Sequence, residues 1–174
     1  MLGFIKRNTK HLSDTKALTS IYNCLVRSVL EYCSVIWSPS YACHVDRLER
    51  VQNKFVKYLL FKFRFPYLNV PHETRLLLCG FQSLEARRRN AHLLFLYKLI
   101  NGFIDCSSLL SLVLFLIPRR NTRQVRLFYE QYHRTNYGLN SFSHRLVYTY
   151  NRFFPDYDIF FTSLTTLKRN LIFK

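Results

Sequence analysis

The chain has 174 residues, with 26 Lys and Arg against 10 Asp and Glu, which gives a formal net charge of +16. Because 49% of the residues are apolar, the chain can form a core, and this excludes a disordered tail. Such a cationic excess on a folded domain indicates a polyanionic partner. Nucleic acid is the first candidate and an anionic membrane surface the second, with a merely basic protein as the alternative.

The N-terminal half predicts two long helices. Residues 1–7 resemble the last turns of a helix, and Ser13 is expected to cap a helix over residues 14–37 that Pro39 ends. The apolar positions of that helix recur at spacings of three and four: Leu18, Ile21, Leu25, Val29 and Tyr32. A second helix over residues 44–61 has its own apolar face: Val45, Leu48, Val51, Phe55 and Leu59. The short link between the two predicts that they lie side by side as a hairpin.

The C-terminal half predicts shorter elements. Residues 63–75 contain two prolines and predict a loop, and a helix over residues 83–101 is expected to end at Asn101-Gly102. A short helix is predicted within residues 106–112. Two strand-like stretches on either side of residues 119–122 predict a small hairpin. Two amphipathic helices follow, over residues 141–153 and 158–173, and Asp156 or Asp158 is expected to cap the second.

Two features of the sequence predict where the protein resides. Its five cysteines are odd in number and include no Cys-x-x-Cys pair, which favours reduced thiols in an intracellular protein, nuclear or cytoplasmic, over disulfides or zinc. Residues 99–117 are apolar but are interrupted by Asn101, Gly102 and Asp105. We therefore expect two buried pieces joined by a turn, not a membrane span.

Several segments carry a family resemblance. "LGFIKRNTK", "LTSIYNCLVRSVLEYCSVIWSPS" and "HVDRLERVQNKFVKYLL" resemble the region that follows the catalytic palm in reverse transcriptases of non-LTR retrotransposons, of the jockey-like, LINE type. "SLEARRRNAHLLFLYKLINGFID", "RTNYG" and "YNRF" are similar to the region that closes the same polyproteins. The resemblance implies that residues 1–65 form a thumb-like helical bundle. It also implies that residues 66–174 form a C-terminal helical region packed as one unit with it. The expected fold class is mainly α, with at most a small β-hairpin.

A thumb holds the template–primer duplex, so we expect cations that contact nucleic-acid phosphates. Arg47, Arg50, Lys54 and Lys57 recur at spacings of three, four and three and form one stripe along the second helix. Such a stripe can follow a phosphate backbone without reading bases. The alternative is a solvated face, moderated by nearby Asp46 and Glu49.

Further candidate contacts come from two arginine clusters. Arg87 and Arg88, with Arg89 after them, begin the third helix, where the helix dipole disfavours cations. The second, looser cluster surrounds the predicted hairpin and comprises Arg119, Arg120, Arg123 and Arg126. Tyr129, Tyr132 and Tyr137 follow it and could stack on bases, although we expect at least two of these rings to pack in the core.

The residues that would catalyse polymerisation are missing from the sequence. Reverse transcriptases hold two Mg²⁺ ions with carboxylates that include an Asp-Asp pair, and this chain has no Asp-Asp. The closest pair, Asp156-Tyr157-Asp158, follows a proline, where N-capping is the ordinary explanation. We therefore expect no enzyme activity, no metal and no cofactor in this chain alone, although the parent polymerase would use Mg²⁺. A start inside a helix at Met1 agrees with truncation of a longer reading frame.

Three functional interpretations follow from these observations. The first is a C-terminal reverse transcriptase fragment that binds RNA or DNA template–primer through its thumb. The second is the same fragment supporting polymerisation by pairing with the palm and fingers of the parent enzyme. The third is an inert relic or a helical interaction module without activity. No membrane partner is expected.

Overall fold

The computed structural model describes residues 1–65, 70–117, 126–155 and 157–172. The chain forms two compact units, Met1–Arg88 and Arg89–Lys174, and the division between them falls inside a long helix. The assignment of residues 1–65 to a thumb-like domain stays a prediction.

The described residues confirm the mainly α fold class, because no strand or sheet is formed among them. The helices of the first unit, with α7 continuing into the second, are α1 (Leu2–Asn8), α2 (Thr15–Tyr22), α3 (Ser28–Glu31), α4 (Ser34–Trp37), α5 (Ala42–Lys62), α6 (His72–Leu78) and α7 (Leu84–Ile100). Asn23–Arg27 forms a π turn that joins α2 to α3. The remaining helices are α8 (Ser107–Leu110), α9 (Asn136–Leu139), α10 (Phe142–Phe153) and α11 (Leu164–Ile172).

The core of the first unit is built where α2 packs beside α5. The ring of Tyr22 stacks on the ring of Phe55, with centroids 4.0 Å apart and planes 7° apart. Phe81 meets both rings edge-on, at 5.8 Å and 6.0 Å. Ile5 of α1 and Leu76 of α6 are buried in the same cluster. The two helices predicted to pair are therefore in contact through these rings, and their arrangement as a hairpin stays a prediction.

The first long helix differs from the prediction at both its start and its apolar face. Asp14 rather than Ser13 is the N-cap, and its carboxylate accepts the backbone N–H groups of Lys16 and Ala17 at 2.9 Å and 3.3 Å. Of the predicted apolar positions, Leu18 is buried and Ile21 half-buried, but Leu25, Val29 and Tyr32 are exposed. Tyr22 and Val26 are buried in their place. Leu18 and Tyr22 are four residues apart and share a face of α2, and the π turn, with its lower rotation per residue, keeps Val26 on that side.

The first long helix is also shorter than predicted. It ends at Glu31, and Cys33 adopts a left-handed backbone conformation, with φ of 49°, before the single turn of α4. The chain therefore changes direction well before Pro39, the residue expected to end the helix.

The prediction of a loop over residues 63–75 is wrong for the last part of that range. Pro71 stands directly before α6, whose first four residues, His72–Arg75, belong to that stretch. A proline beside the first helical position is compatible with the helix because the first turn needs no N–H from it.

The C-terminal end of α5 is a Schellman motif, in which two backbone N–H groups close back on the last turn. Phe65 N–H donates to the carbonyl of Leu60 at 3.0 Å, and Arg64 N–H donates to that of Phe61 at 3.2 Å. Arg64 has a φ of 56°, a left-handed conformation in which a side chain crowds its own backbone. The helices α6 and α7 end with the same bonds but place Gly80 and Gly102 at this position.

Arg64→Gly is expected to raise the free energy of unfolding by about 0.5–1 kcal/mol, because glycine removes the crowding at positive φ. Urea unfolding followed by tryptophan fluorescence measures this, since Trp37 is the one tryptophan of the chain and lies in the first unit. Arg64→Gln removes the same charge but keeps the crowded side chain, so it is the control and is expected to leave the stability unchanged. Equal effects of the two variants would contradict the prediction.

The second unit packs the C-terminal part of α7 with α10 and α11. Its buried apolar residues are Leu93, Leu96, Tyr97, Leu99, Val113, Phe128, Leu146, Val147, Tyr150, Phe154, Ile159, Leu167 and Leu171. Of the predicted hairpin, the described residues show one antiparallel bridge, between Phe115 and Phe128, while the turn at residues 119–122 lies outside them. The side chain of Asn151 in α10 donates to the carbonyl of Phe128 at 2.9 Å and so ties this segment to the helix.

The last helix starts later than predicted. Asp158 accepts the backbone N–H groups of Phe160 and Phe161, at 2.9 Å and 3.2 Å, and so stabilises a turn rather than the helix. The helix α11 begins at Leu164, and the hydroxyl of Ser163 accepts the N–H of Thr166 at 3.2 Å. The other predicted cap, Asp156, lies outside the described residues.

Candidate nucleic-acid interface

The predicted cationic stripe lies on the surface of α5. Arg47, Arg50, Lys54 and Lys57 are all exposed, while Phe55 and Val56 on the opposite side are fully buried. Within the described part of the chain, none of the four cations forms an ion pair. The stripe is therefore open to a ligand along its whole length.

Of the two acids expected to moderate the stripe, Asp46 stays exposed next to Arg47, but Glu49 is directed elsewhere. Glu49 accepts the backbone N–H of Glu85, at the start of α7, with a distance of 2.8 Å. A carboxylate at this position compensates the positive end of the helix dipole. Gln52, which is fully buried, donates to the carbonyl of Gln82 at 2.8 Å and fixes the same segment against α5. These contacts hold the start of α7 against α5 and leave the stripe on α5 exposed.

The basic surface continues beyond the stripe onto the end of α1. Nζ of Lys6 and Nζ of Lys62 lie 5.4 Å and 6.0 Å from the ring centroid of Tyr58, within the range of cation–π attraction. The Tyr58 hydroxyl contacts Oγ1 of Thr9 at 3.2 Å, and Lys62 donates to the carbonyl of Thr9. Two ammonium groups thus lie around one ring of α5, the helix that carries the stripe.

The sequence reasoning missed this cluster and one aromatic residue in the stripe. Phe61 stands four residues after Lys57 and is 68% exposed. Its spacing from the cations was visible in the sequence. Lys6 and Tyr58, by contrast, are brought together only by the folding of α1 onto α5.

Arg87 is occupied by an ion pair. Its guanidinium donates from Nε and Nη2 to the two carboxylate oxygens of Glu31, with the second distance 2.9 Å. The pKa of Arg87 is raised, chiefly by this hydrogen bond. Arg27 lies 4.0 Å from the same carboxylate. Arg87 therefore ties α7 to α3 and is not free to bind a phosphate.

Arg88 is not on the surface. It is 3% exposed, and burial lowers its pKa because desolvation disfavours the charged guanidinium. A phosphate cannot reach a buried side chain, so we remove Arg87 and Arg88 from the interface. The predicted contacts Arg119, Arg120 and Arg123 lie outside the described residues.

The three tyrosines of the second unit do not pack in the core as expected. Tyr132 and Tyr137 are 85% and 90% exposed, and Tyr129 is about half exposed. The expectation that at least two of these rings would be buried was therefore wrong.

Tyr22 makes the stability of the first unit sensitive to alkali. Burial raises the pKa of its hydroxyl far above the usual 10.0, and within the described residues that hydroxyl has no hydrogen-bond partner. In the unfolded chain the phenol ionises near pH 10, whereas in the folded protein it stays protonated to higher pH. Its contribution to stability is therefore fully present below pH 10 and is lost as the pH rises above it.

Tyr22→Phe is accordingly expected to reduce the loss of stability between pH 9.5 and 11, by up to about 1.4 kcal/mol per pH unit. Urea unfolding at a series of pH values measures the slope. Tyr32→Phe is the control, because that ring is exposed. Identical slopes for the two variants would contradict the assignment.

The described ranges contain neither a metal-binding cluster nor a membrane-spanning helix. No group of three or more His, Cys, Asp or Glu side chains there is arranged to hold a metal ion. No helix in those ranges has the length and hydropathy needed to cross a membrane.

Comparisons with protein-family models, with curated proteins and with solved structures found no match to this chain.

Proposed function

We propose that the first unit binds the phosphate backbone of nucleic acid without sequence preference. The chain has no polymerase activity of its own in this proposal. The observation that supports this is the row of four exposed cations on α5, none of which is paired within the described residues. A rigid helix presents such charges at fixed intervals, and these contact phosphates rather than base edges.

The dimensions of the stripe suit this role. Arg47 and Lys57 are ten residues apart, which corresponds to about 15 Å along a helix axis. Successive phosphates of one strand advance by about 3.4 Å along the axis of B-form DNA, so the stripe matches about four phosphates. Four cations thus face about four anionic groups.

Salt dependence tests the proposal. Neutralising about four phosphates gives a slope of about −3.6 for log affinity against log salt concentration, or a loss of roughly 150-fold between 50 and 200 mM. Fluorescence anisotropy with labelled oligonucleotides of two unrelated sequences measures both the slope and the sequence preference. Affinity that does not respond to salt, or that differs strongly between the sequences, would refute the proposal.

We further propose that the chain is a C-terminal part of a non-LTR retrotransposon reverse transcriptase, an RNA-directed DNA polymerase. The support is the ordered set of resembling segments and the helical fold class. Sequencing the genomic DNA upstream of the Met1 codon tests this origin. An in-frame extension that encodes an aromatic-x-Asp-Asp motif is expected, and an unrelated upstream region would refute it.

A second candidate function, interaction with the palm of such a polymerase, is favoured by the apolar face left on the first helical segments. The exposed side chains there are Leu25, Val29, Tyr32, Ile36 and Trp37. A group of exposed apolar side chains on neighbouring helical segments is typical of a protein-interaction site. Mixing the chain with a separately expressed palm and fingers tests this, with primer extension as the readout and Val29→Lys expected to abolish any gain. No gain from the unmodified chain would exclude the candidate.

A further inference from the structure

We propose that Phe61 stacks on an unpaired base at the end of the stripe, so that this surface prefers a single-stranded segment beside the backbone that it contacts. This inference rests on the proposed nucleic-acid binding and names the form of nucleic acid for that same surface.

The position of Phe61 follows from helix geometry. At 100° per residue, Phe61 projects within the sector that contains Arg47, Arg50, Lys54 and Lys57. It is 68% exposed, although its neighbour Leu60 is buried in the core. An exposed ring thus lies in line with four exposed cations and next to the last of them.

The backbone that carries Phe61 is fixed. Its carbonyl accepts the N–H of Arg64 at 3.2 Å in the Schellman motif, and the next residue, Lys62, contacts both Thr9 and the Tyr58 ring. The ring is therefore presented from an anchored helix end.

Cations that follow the backbone and an exposed ring beside them are combined in proteins that bind single-stranded nucleic acid. The cations track the backbone, and the ring offers a face to any base, which adds affinity without sequence preference. Bases inside a duplex are already stacked on their neighbours, so a ring at the surface gains nothing from them. The expected ligand is an unpaired stretch or the frayed end of a duplex.

The experiment compares a single-stranded oligonucleotide with a blunt duplex of the same length by anisotropy at fixed salt. Phe61→Leu keeps apolar bulk but lacks an aromatic face, and is expected to weaken single-strand binding by about tenfold while duplex binding stays within twofold. Phe61→Tyr is expected to retain the single-strand affinity. Phe161→Ala is the matched control, because Phe161 is an exposed phenylalanine of the second unit and is 91% exposed.

The outcomes separate this inference from the proposed function. If Phe61→Leu binds both forms as the unmodified protein does, with a steep salt slope, the stacking role is refuted and backbone binding stands. If Phe61→Leu weakens both forms equally, the residue supports the stripe rather than an unpaired base, and the inference is again refuted. If the unmodified protein shows no salt-dependent binding to either form, the proposed function itself fails.

Discussion

Replacing Arg47, Arg50, Lys54 and Lys57 with glutamine is expected to make the salt slope of nucleic-acid binding shallower by about 3.6 and to lower affinity at 0.1 M salt by about 10³-fold or more. The physical reason is that each cation that neutralises a phosphate releases a condensed counterion, and these releases add along the stripe. The four side chains are exposed and unpaired within the described residues, so their loss should cost little stability.

The control for this variant must lower the net charge equally. Arg134, Arg152, Lys168 and Arg169 are exposed cations of the second unit, and their replacement with glutamine also removes four charges. If binding depended on net charge alone, the two variants would lose affinity equally. We expect the control to keep most of the slope, and equal losses would contradict an interface on α5.

Phe55→Ala is expected to lower the free energy of unfolding of the first unit by about 3–5 kcal/mol, a large part of the 5–15 kcal/mol that is typical of a whole domain. Phe55 is fully buried, stacks on Tyr22 at 4.0 Å and meets Phe81 edge-on at 6.0 Å. Removing the ring leaves a cavity between α2 and α5 and deletes both aromatic contacts.

Urea unfolding followed through Trp37 fluorescence measures this loss in the unit that contains the mutation. Phe61→Ala on the same helix is the matched control, and is expected to change stability by less than about 0.5 kcal/mol because that ring is exposed. A loss below about 1.5 kcal/mol for Phe55→Ala would show that the stacked rings do not form the core.

The long helices were predictable because their boundaries have local causes. The helix α5 was predicted within two residues at its start and one at its end, and α7 within one at each end. Asn101-Gly102 ends α7 through a backbone motif that favours glycine. The end of this helix can therefore be predicted from the local sequence, without knowledge of the tertiary structure.

The face of α2 was not predictable because two of its sides are apolar. Leu25 and Val29 continue one row from Leu18, while Tyr22 and Val26 continue another. Both rows have regular helical spacing, so spacing alone did not decide between them. The π turn at Asn23–Arg27, for which the sequence gives no signal, keeps Val26 on the same side as Leu18 and Tyr22.

The roles of Arg87 and Arg88 depend on distant parts of the chain. Glu31, the partner of Arg87, is 56 residues away, and the burial of Arg88 is a property of the folded protein. A cation at a helix start is unusual, as the sequence analysis recognised. In Arg87 the structural reason is an ion pair with Glu31, not a nucleic-acid ligand. The exposed stripe, by contrast, followed from spacing within a single helix.

The π turn at Asn23–Arg27 has a consequence for how this region tolerates changes in length. Such a turn contains one residue more than the regular helical ladder accommodates, so losing one residue there would rotate all that follows by about 100°. Val26 would leave the interior, and Glu31 would swing away from Arg87. Among related sequences, conservation of the number of residues between Tyr22 and Glu31 should therefore be stricter than conservation of their identities.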